Sequence, residues 1–270
     1  MKSIANQIGI KTLQILNWVF FILMVFVNYL ANALPINGKN TGELSNQYPN
    51  LFVPAPITFA IWGVIYLLLF LFCIKQGKFF FTKNPNLETE DLVSKMGARF
   101  IVSCILNSLW ILSWHYEHLF FSVLVMVSLL ITLLDINRRI NTLTTYIEPR
   151  SPIIVKASFG IYLGWICIAM IANITAILVY FGWDAFGQSE DFWTCWMIII
   201  GAVIVSYTLI KLKNVFIGLA VLWAFIGILI ARIGATEYHR FVVWITVFGM
   251  LIVVTSLIIE TTKSAFRKTS

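Results

Sequence analysis

Three apolar segments of this sequence carry aromatic and amide side chains at helical spacing, so each segment would present them on one face. Indole and phenol rings on such a face can stack on a flat apolar molecule, and their N–H or O–H groups can donate hydrogen bonds. The three sets are Phe59, Trp62 and Tyr66; Asn107, Trp110 and Trp114; and Tyr162, Trp165, Ala169 and Asn173. They favour a pocket for a flat hydrophobic ligand, with ordinary packing between helices as the alternative.

A metal site is the second chemistry to consider, in the short segment His115-Tyr-Glu-His118. Two histidines three residues apart could bind zinc or haem iron. No third ligand is identifiable, so His115 and His118 are weak metal candidates, and we favour a polar hairpin at the membrane interface. The sequence also contains no Ser-His-Asp set, phosphate-binding loop or dinucleotide fingerprint. We predict no catalytic residues and no required cofactor.

The composition identifies the class of protein that must position these side chains. Of the 270 residues, 60% are hydrophobic and only 11% are charged, and the mean hydropathy is +0.88. A soluble domain has about 25% charged residues, so this chain cannot cover itself with a polar surface. We predict an all-α integral membrane protein whose main partner is the lipid bilayer. The net charge of +7 does not indicate nucleic-acid binding, because its placement follows the membrane topology.

Apolar runs of about 20 residues are long enough to cross a bilayer as helices. The sequence contains eight such runs, which predict a polytopic bundle of about eight transmembrane helices. They cover roughly residues 13–35, 57–75, 98–115, 119–136, 153–182, 193–211, 214–236 and 240–262.

The basic residues predict the orientation of these spans. With eight spans, all but three of the 19 lysines and arginines fall on the side of the termini, and the exceptions are Lys39, Arg232 and Arg240. The positive-inside rule then places both termini in the cytoplasm. We expect a multi-pass protein of a bacterial cytoplasmic membrane. No charged side chain lies at mid-depth in a span, which argues against an ion-driven pump.

Two prolines precede the second span, in the stretch LFVPAPITFAIWGVIY. Pro56 suits the first turn of a helix, where a missing N–H is tolerated. Pro54 and Pro56 also keep the incoming chain extended, because a residue before proline avoids the helical region. The polar loop at 36–56 is therefore expected to cross the mouth of the bundle before the second span begins.

This stretch resembles the signature of the TspO/MBR family, the translocator proteins or tryptophan-rich sensory proteins. Pro54, Phe59, Trp62 and Tyr66 match the family's second helix in register. Further along the chain, the Asn-x-x-Trp motif of the family's third helix resembles Asn107 and Trp110. The motif of its fifth helix resembles Trp165, Ala169 and Asn173.

The resemblance implies a five-helix bundle over about residues 13–182, with a pocket beneath the loop between the first two spans. Family members bind porphyrins, haem-related compounds and, in some cases, sterols or benzodiazepine-type drugs. The resemblance also implies that the hydrophobic small molecule bound by this chain is a porphyrin or haem-type ligand. The predicted ligand-binding residues are Pro54, Phe59, Trp62, Tyr66, Asn107, Trp110, Trp165 and Ala169.

The sequence departs from the family pattern in two ways. A tryptophan and a proline of the family's second helix are replaced by Ile57 and Ile61, and one of its paired prolines by Ala55. Residues 183–270 add three predicted spans without a counterpart in five-helix members, so we divide the chain into 1–182 and 183–270. The role of the second part is not predicted.

Three functions fit these features, in descending order of support. The first is a membrane receptor or sensor for a flat hydrophobic ligand, most simply a tetrapyrrole. The second is a facilitative transporter of a small hydrophobic solute. The third is a pigment-degrading membrane enzyme, which no acid–base pair in the chain supports. Gly160 and Gly164 form a small-residue motif that favours close packing of helices within the bundle, with the interface of a homodimer as the alternative.

Overall fold

A computed structural model of the chain describes residues 4–77, 87–146 and 153–269. Within these ranges the regular structure is helical and contains no strand, so the predicted all-α class is confirmed. The α-helices are α1 (Ile4–Ala33), α2 (Thr41–Asn46), α3 (Ile61–Gly77), α4 (Leu87–Met96), α5 (Arg99–His115), α6 (Leu119–Tyr146), α7 (Ile153–Tyr180), α8 (Glu190–Leu212), α9 (Val215–Ile233) and α10 (Arg240–Thr269).

Seven helical segments of the described ranges are long and apolar enough to cross a membrane, against the eight predicted. The remaining predicted span, 98–115, corresponds to α5, which has 17 residues. At 1.5 Å per residue α5 is about 26 Å long, slightly less than the ~30 Å hydrocarbon core of a bilayer. Positive φ angles at Gly97 and Glu117 bound the helix at its two ends. The chain is thus a multi-pass helical membrane protein in which one predicted span is short.

The short helix α5 is held on both sides by its neighbours. It packs against α1 and α6, and the tight hairpin to α6 is closed by a hydrogen bond from the His118 amide to the Ser113 carbonyl (2.8 Å). At its other end Arg99 forms an ion pair with Asp135 of α6. These contacts make α5 and α6 antiparallel neighbours joined by a connection of three residues, 116–118.

Five helices form a closed ring. Helix α1 contacts α3 and α5, α5 contacts α6, α6 contacts α7, and α7 contacts α3. These are the helices of residues 1–182 for which the family resemblance implied a bundle. Helices α8, α9 and α10 contact one another. They join the ring mainly through the contact of α9 with α7.

The interface between α7 and α9 depends on small residues. A Cβ atom at Gly160 would stand 2.8 Å from Cβ of Phe216, and one at Gly164 would stand 2.9 Å from Cβ of Ala220. At Gly164 it would also collide with the Ile217 carbonyl oxygen. The two glycines therefore let α9 approach the backbone of α7 closely, so this motif packs helices within the bundle.

Asparagines tie the end of the same interface together. Asn214 caps α9 by accepting a hydrogen bond from the Phe216 amide (3.2 Å). Its side-chain amide donates to Asn137 Oδ1 of α6 (3.0 Å) and to the Lys156 carbonyl of α7 (3.0 Å). The last three helices are joined to the ring by specific polar contacts as well as by close packing.

Candidate functional site

The loop between α1 and α3, residues 34–60, lies across one end of the ring, and we call it the roof. Its short helix α2 begins with a capping box: Asn40 Oδ1 accepts from the Glu43 amide (2.9 Å), and Glu43 Oε2 accepts from the Asn40 amide (2.8 Å). A five-residue 3₁₀ helix, Pro56–Ala60, then leads into α3. The loop therefore has regular local structure and a defined position above the helices.

The imidazole of His115 in α5 forms hydrogen bonds to this roof through both ring nitrogens. Its Nδ1 lies 3.1 Å from the Ile36 carbonyl, and its Nε2 lies 3.2 Å from Thr41 Oγ1. Asn37 Nδ2 donates to the carbonyl of the same histidine (3.0 Å). Both ring nitrogens are used within the loop. Among the described residues no group of three His, Cys, Asp or Glu side chains is placed to hold a metal ion.

A polar contact closes the outer edge of the roof. The Tyr48 hydroxyl donates to Glu117 Oε2 (3.1 Å), and Lys39 Nζ lies 3.8 Å from the other oxygen of that carboxylate. Burial, followed by the hydrogen bond to Glu117, raises the pKa of Tyr48 to about 12. Tyr48 therefore stays protonated, and able to donate, throughout the physiological pH range.

Beneath the roof lies a cavity of about 50 Å³ between α3, α5 and α7. Six of the eight predicted ligand-binding residues line it, namely Pro54, Phe59, Trp62, Trp110, Trp165 and Ala169. Six further residues line it that the prediction did not include, namely Thr41, Ser45, Trp114, Ile168, Ala172 and Asn173. Trp114 and Asn173 belong to the aromatic and amide stripes seen in the sequence. Thr41 and Ser45 lie in a polar loop, where no pattern marks them.

The cavity is small because its own rings fill most of the space. Trp62 stacks on Trp110 with ring centroids 5.8 Å apart and on Tyr66 at the same distance. Trp110 stacks in turn on Trp114 (6.2 Å). Trp165 meets Trp62 edge-on at 6.1 Å. A ligand larger than one or two water molecules must displace these rings or lift the roof.

The other two predicted residues, Tyr66 and Asn107, lie outside this lining. Asn107 is fully buried and joins three helices: it accepts from Asn28 Nδ2 of α1 (2.7 Å) and donates to the Tyr162 hydroxyl of α7 (2.8 Å). Tyr66 lies under the ring of Trp62. Asn107 thus links α1, α5 and α7, while Tyr66 packs against Trp62 of the lining.

Two indole N–H groups of the lining have no hydrogen-bond partner among the described residues. Trp110 Nε1 donates to Asn173 Oδ1 (2.9 Å), but Nε1 of Trp114 and of Trp165 are buried without a hydrogen bond in the described part of the chain. These two side chains are only 6% and 3% exposed. A buried donor without an acceptor is costly, so the lining favours a ligand that carries hydrogen-bond acceptors.

Helix α9 holds the edge of this cavity, which the sequence alone did not indicate. The Ala55 amide donates to the Gly227 carbonyl (2.9 Å), and Trp223 Nε1 donates to the Thr58 carbonyl (2.9 Å). A Cβ atom at Gly227 would stand 2.9 Å from Pro54 Cβ. The proline segment that begins the pocket is therefore fixed by the part of the chain for which no role was predicted.

Comparison with known proteins gives a match to a family and none to an individual protein. No curated protein and no solved structure gives a significant match. A family model described as TSPO-like protein matches residues 14–259, which include the last three helices as well as the five-helix ring. The match covers most of the chain and extends well beyond the 13–182 range of the motif resemblance. The chain belongs to the TSPO-like protein family, a family of membrane sensor and binding proteins.

Proposed function

We propose that this protein is a membrane receptor or sensor that binds a flat hydrophobic ligand, a porphyrin or another tetrapyrrole, in the aromatic cavity under the roof. The observation that carries the proposal is the pair of buried, unpartnered indole N–H groups of Trp114 and Trp165 in a lining of stacked rings. Rings supply stacking surface for a flat molecule, and the free donors match its acceptor atoms.

Binding in this cavity requires a conformational change. A volume of about 50 Å³ is far below the several hundred Å³ of an ordinary ligand pocket. The roof is the element best suited to move, because it is a loop held by a limited set of hydrogen bonds at His115 and at Gly227. Ligand binding would then be read as a displacement of the roof, which suits a sensor.

We also propose that both termini face the cytoplasm of a bacterial cell. The charge asymmetry of the sequence supports this orientation, since only Lys39, Arg232 and Arg240 of the 19 lysines and arginines lie on the opposite side. A fluorescent protein that matures only in the cytoplasm, fused to the C-terminus, is expected to fluoresce. A dark fusion at normal expression would contradict the orientation.

Protoporphyrin IX tests the proposed ligand. Titrated into the purified protein in detergent, it is expected to quench tryptophan emission with saturation. Trp165→Phe removes one unpartnered donor and is expected to weaken binding about fivefold, since a hydrogen bond contributes on the order of 1 kcal/mol.

The matched control is Trp244→Phe, because Trp244 is 63% exposed on α10 and its loss removes one fluorophore without touching the cavity. We expect wild-type affinity for this variant. Linear quenching that is the same in all three proteins would contradict the proposal.

Two further measurements test the alternative functions. Passage of ligand across the membrane of proteoliposomes would favour the facilitative transporter, and loss of the pigment's absorption spectrum in the dark would favour the enzyme.

A further inference from the structure

A second, more polar cavity of about 300 Å³ lies beside the roof. Its lining combines the loop before α3 with the first turn of α8 and the last turn of α9. The lining residues are Ser45, Asn46, Pro49, Asn50, Leu51, Val53, Glu190 and Arg232. Ser45 lines both this cavity and the aromatic one, so the two spaces adjoin at this residue.

Arg232 is the unusual member of this lining. Its Nε atom is buried and makes no hydrogen bond to any residue that the structure describes, and the Glu190 carboxylate lines the same cavity. Arg232 as a whole is only partly buried, but a buried N–H donor without an acceptor is costly. The other basic residues on this side differ, because Lys39 lies 3.8 Å from Glu117 and Arg240 is exposed.

A guanidinium with free N–H groups matches the geometry of a carboxylate or phosphate. A molecule whose flat apolar body lies among the tryptophans could extend a short anionic arm past Ser45 to this group. We propose that Arg232 binds the carboxylate of an amphipathic ligand whose apolar body occupies the aromatic cavity. The inference rests on the proposed function and specifies it further, since it makes the ligand an anion and gives helix α9 a direct part in recognition.

Glu190 allows a second test, because its substitution and that of Arg232 should change the affinity for an anionic ligand in opposite directions. Its carboxylate lines the same cavity and repels a ligand carboxylate, while it also reduces the field of Arg232. Neutralising Glu190 should therefore strengthen the binding of an anionic ligand, whereas neutralising Arg232 should weaken it. A purely structural pairing of the two side chains predicts no such opposition.

The experiment compares protoporphyrin IX, which carries carboxylates, with its neutral dimethyl ester, in a non-ionic detergent. Wild type is expected to bind the acid about tenfold more tightly than the ester, the order of a charge-assisted hydrogen bond. Arg232→Gln should abolish the preference and weaken ester binding far less than acid binding, so continued saturable ester binding also reports correct folding. Arg232→Lys should keep part of the preference, because it retains the charge without the planar fork.

Two variants complete the design. Arg240→Gln makes the same charge change at an exposed position on the same side and should keep the tenfold preference. Glu190→Gln should increase the preference for the acid over the ester. If wild type and Arg232→Gln show equal preferences while both ligands still saturate, this inference is overturned and the proposed function stands. If neither ligand saturates in wild type, the proposed function fails, and the inference fails with it.

A lipid head group is the competing source of the anion. The same titration in nanodiscs of zwitterionic lipid, with and without phosphatidylglycerol, distinguishes a ligand carboxylate from a lipid phosphate. We expect the preference for the acid over the ester to persist in both lipid compositions. Its loss in the anionic lipid alone would show that Arg232 binds lipid phosphate, and would overturn the assignment to the ligand.

Discussion

Trp110→Ala is expected to lower the free energy of unfolding by about 3–5 kcal/mol, the usual cost of removing a buried tryptophan. The side chain is 6% exposed and stacks between Trp62 and Trp114. Its loss also breaks the hydrogen bond to Asn173 Oδ1. Membrane helices associate largely through packing of this kind, so the cavity left behind is not compensated by the surrounding lipid.

Indole should partly reverse this loss, because it matches the deleted group and Asn173 can accept its N–H. Unfolding by heat or by SDS, with and without indole, measures both effects. Trp244→Ala is the control: that side chain is 63% exposed, so the expected cost is below about 0.5 kcal/mol, with no response to indole. Equal destabilisation of the two variants would contradict the assigned packing.

Gly164→Ala is expected to lower the free energy of unfolding by about 1–3 kcal/mol, although it adds a single methyl group. The new Cβ would collide with the Ile217 carbonyl oxygen and lie 2.9 Å from Cβ of Ala220. A backbone atom cannot rotate away as a long side chain can, so α9 must move off α7. Because α9 also binds Ala55 and Thr58, the shift should disturb the roof and weaken ligand binding as well.

The matched control is Gly63→Ala, a helical glycine of α3 with no atom within 4 Å of the position of its new Cβ. There the substitution should be neutral or stabilising by roughly 0.5–1 kcal/mol, since alanine is the better helix former. Melting temperatures of the two variants in the same detergent give the comparison. Similar values for both would mean that the close approach of α9 to α7 is not required.

Sequence patterns alone predicted the class, the helices and much of the cavity lining. A bilayer imposes a minimum apolar length, so spans can be read from composition, and the helical period assigns side chains to one face. Trp62, Trp110 and Trp165 were identified in this way. The span predicted at 98–115 agrees with α5 to within one residue, and positive φ angles at Gly97 and Glu117 lie just beyond its ends.

The tertiary structure decided which faces meet and how much space remains between them. Periodicity marked Asn107 and Tyr66 as facing inward, but only the packing places them beneath the cavity and Trp114 beside it. No pattern connects Ala55 with Gly227, or brings Ser45 and Arg232 to one cavity, because each pair joins segments more than 170 residues apart. A sequence period specifies the direction of a side chain on its own helix. The partner across the interface depends on the close approach of distant backbones, which in this chain the small residues Gly160, Gly164 and Gly227 permit.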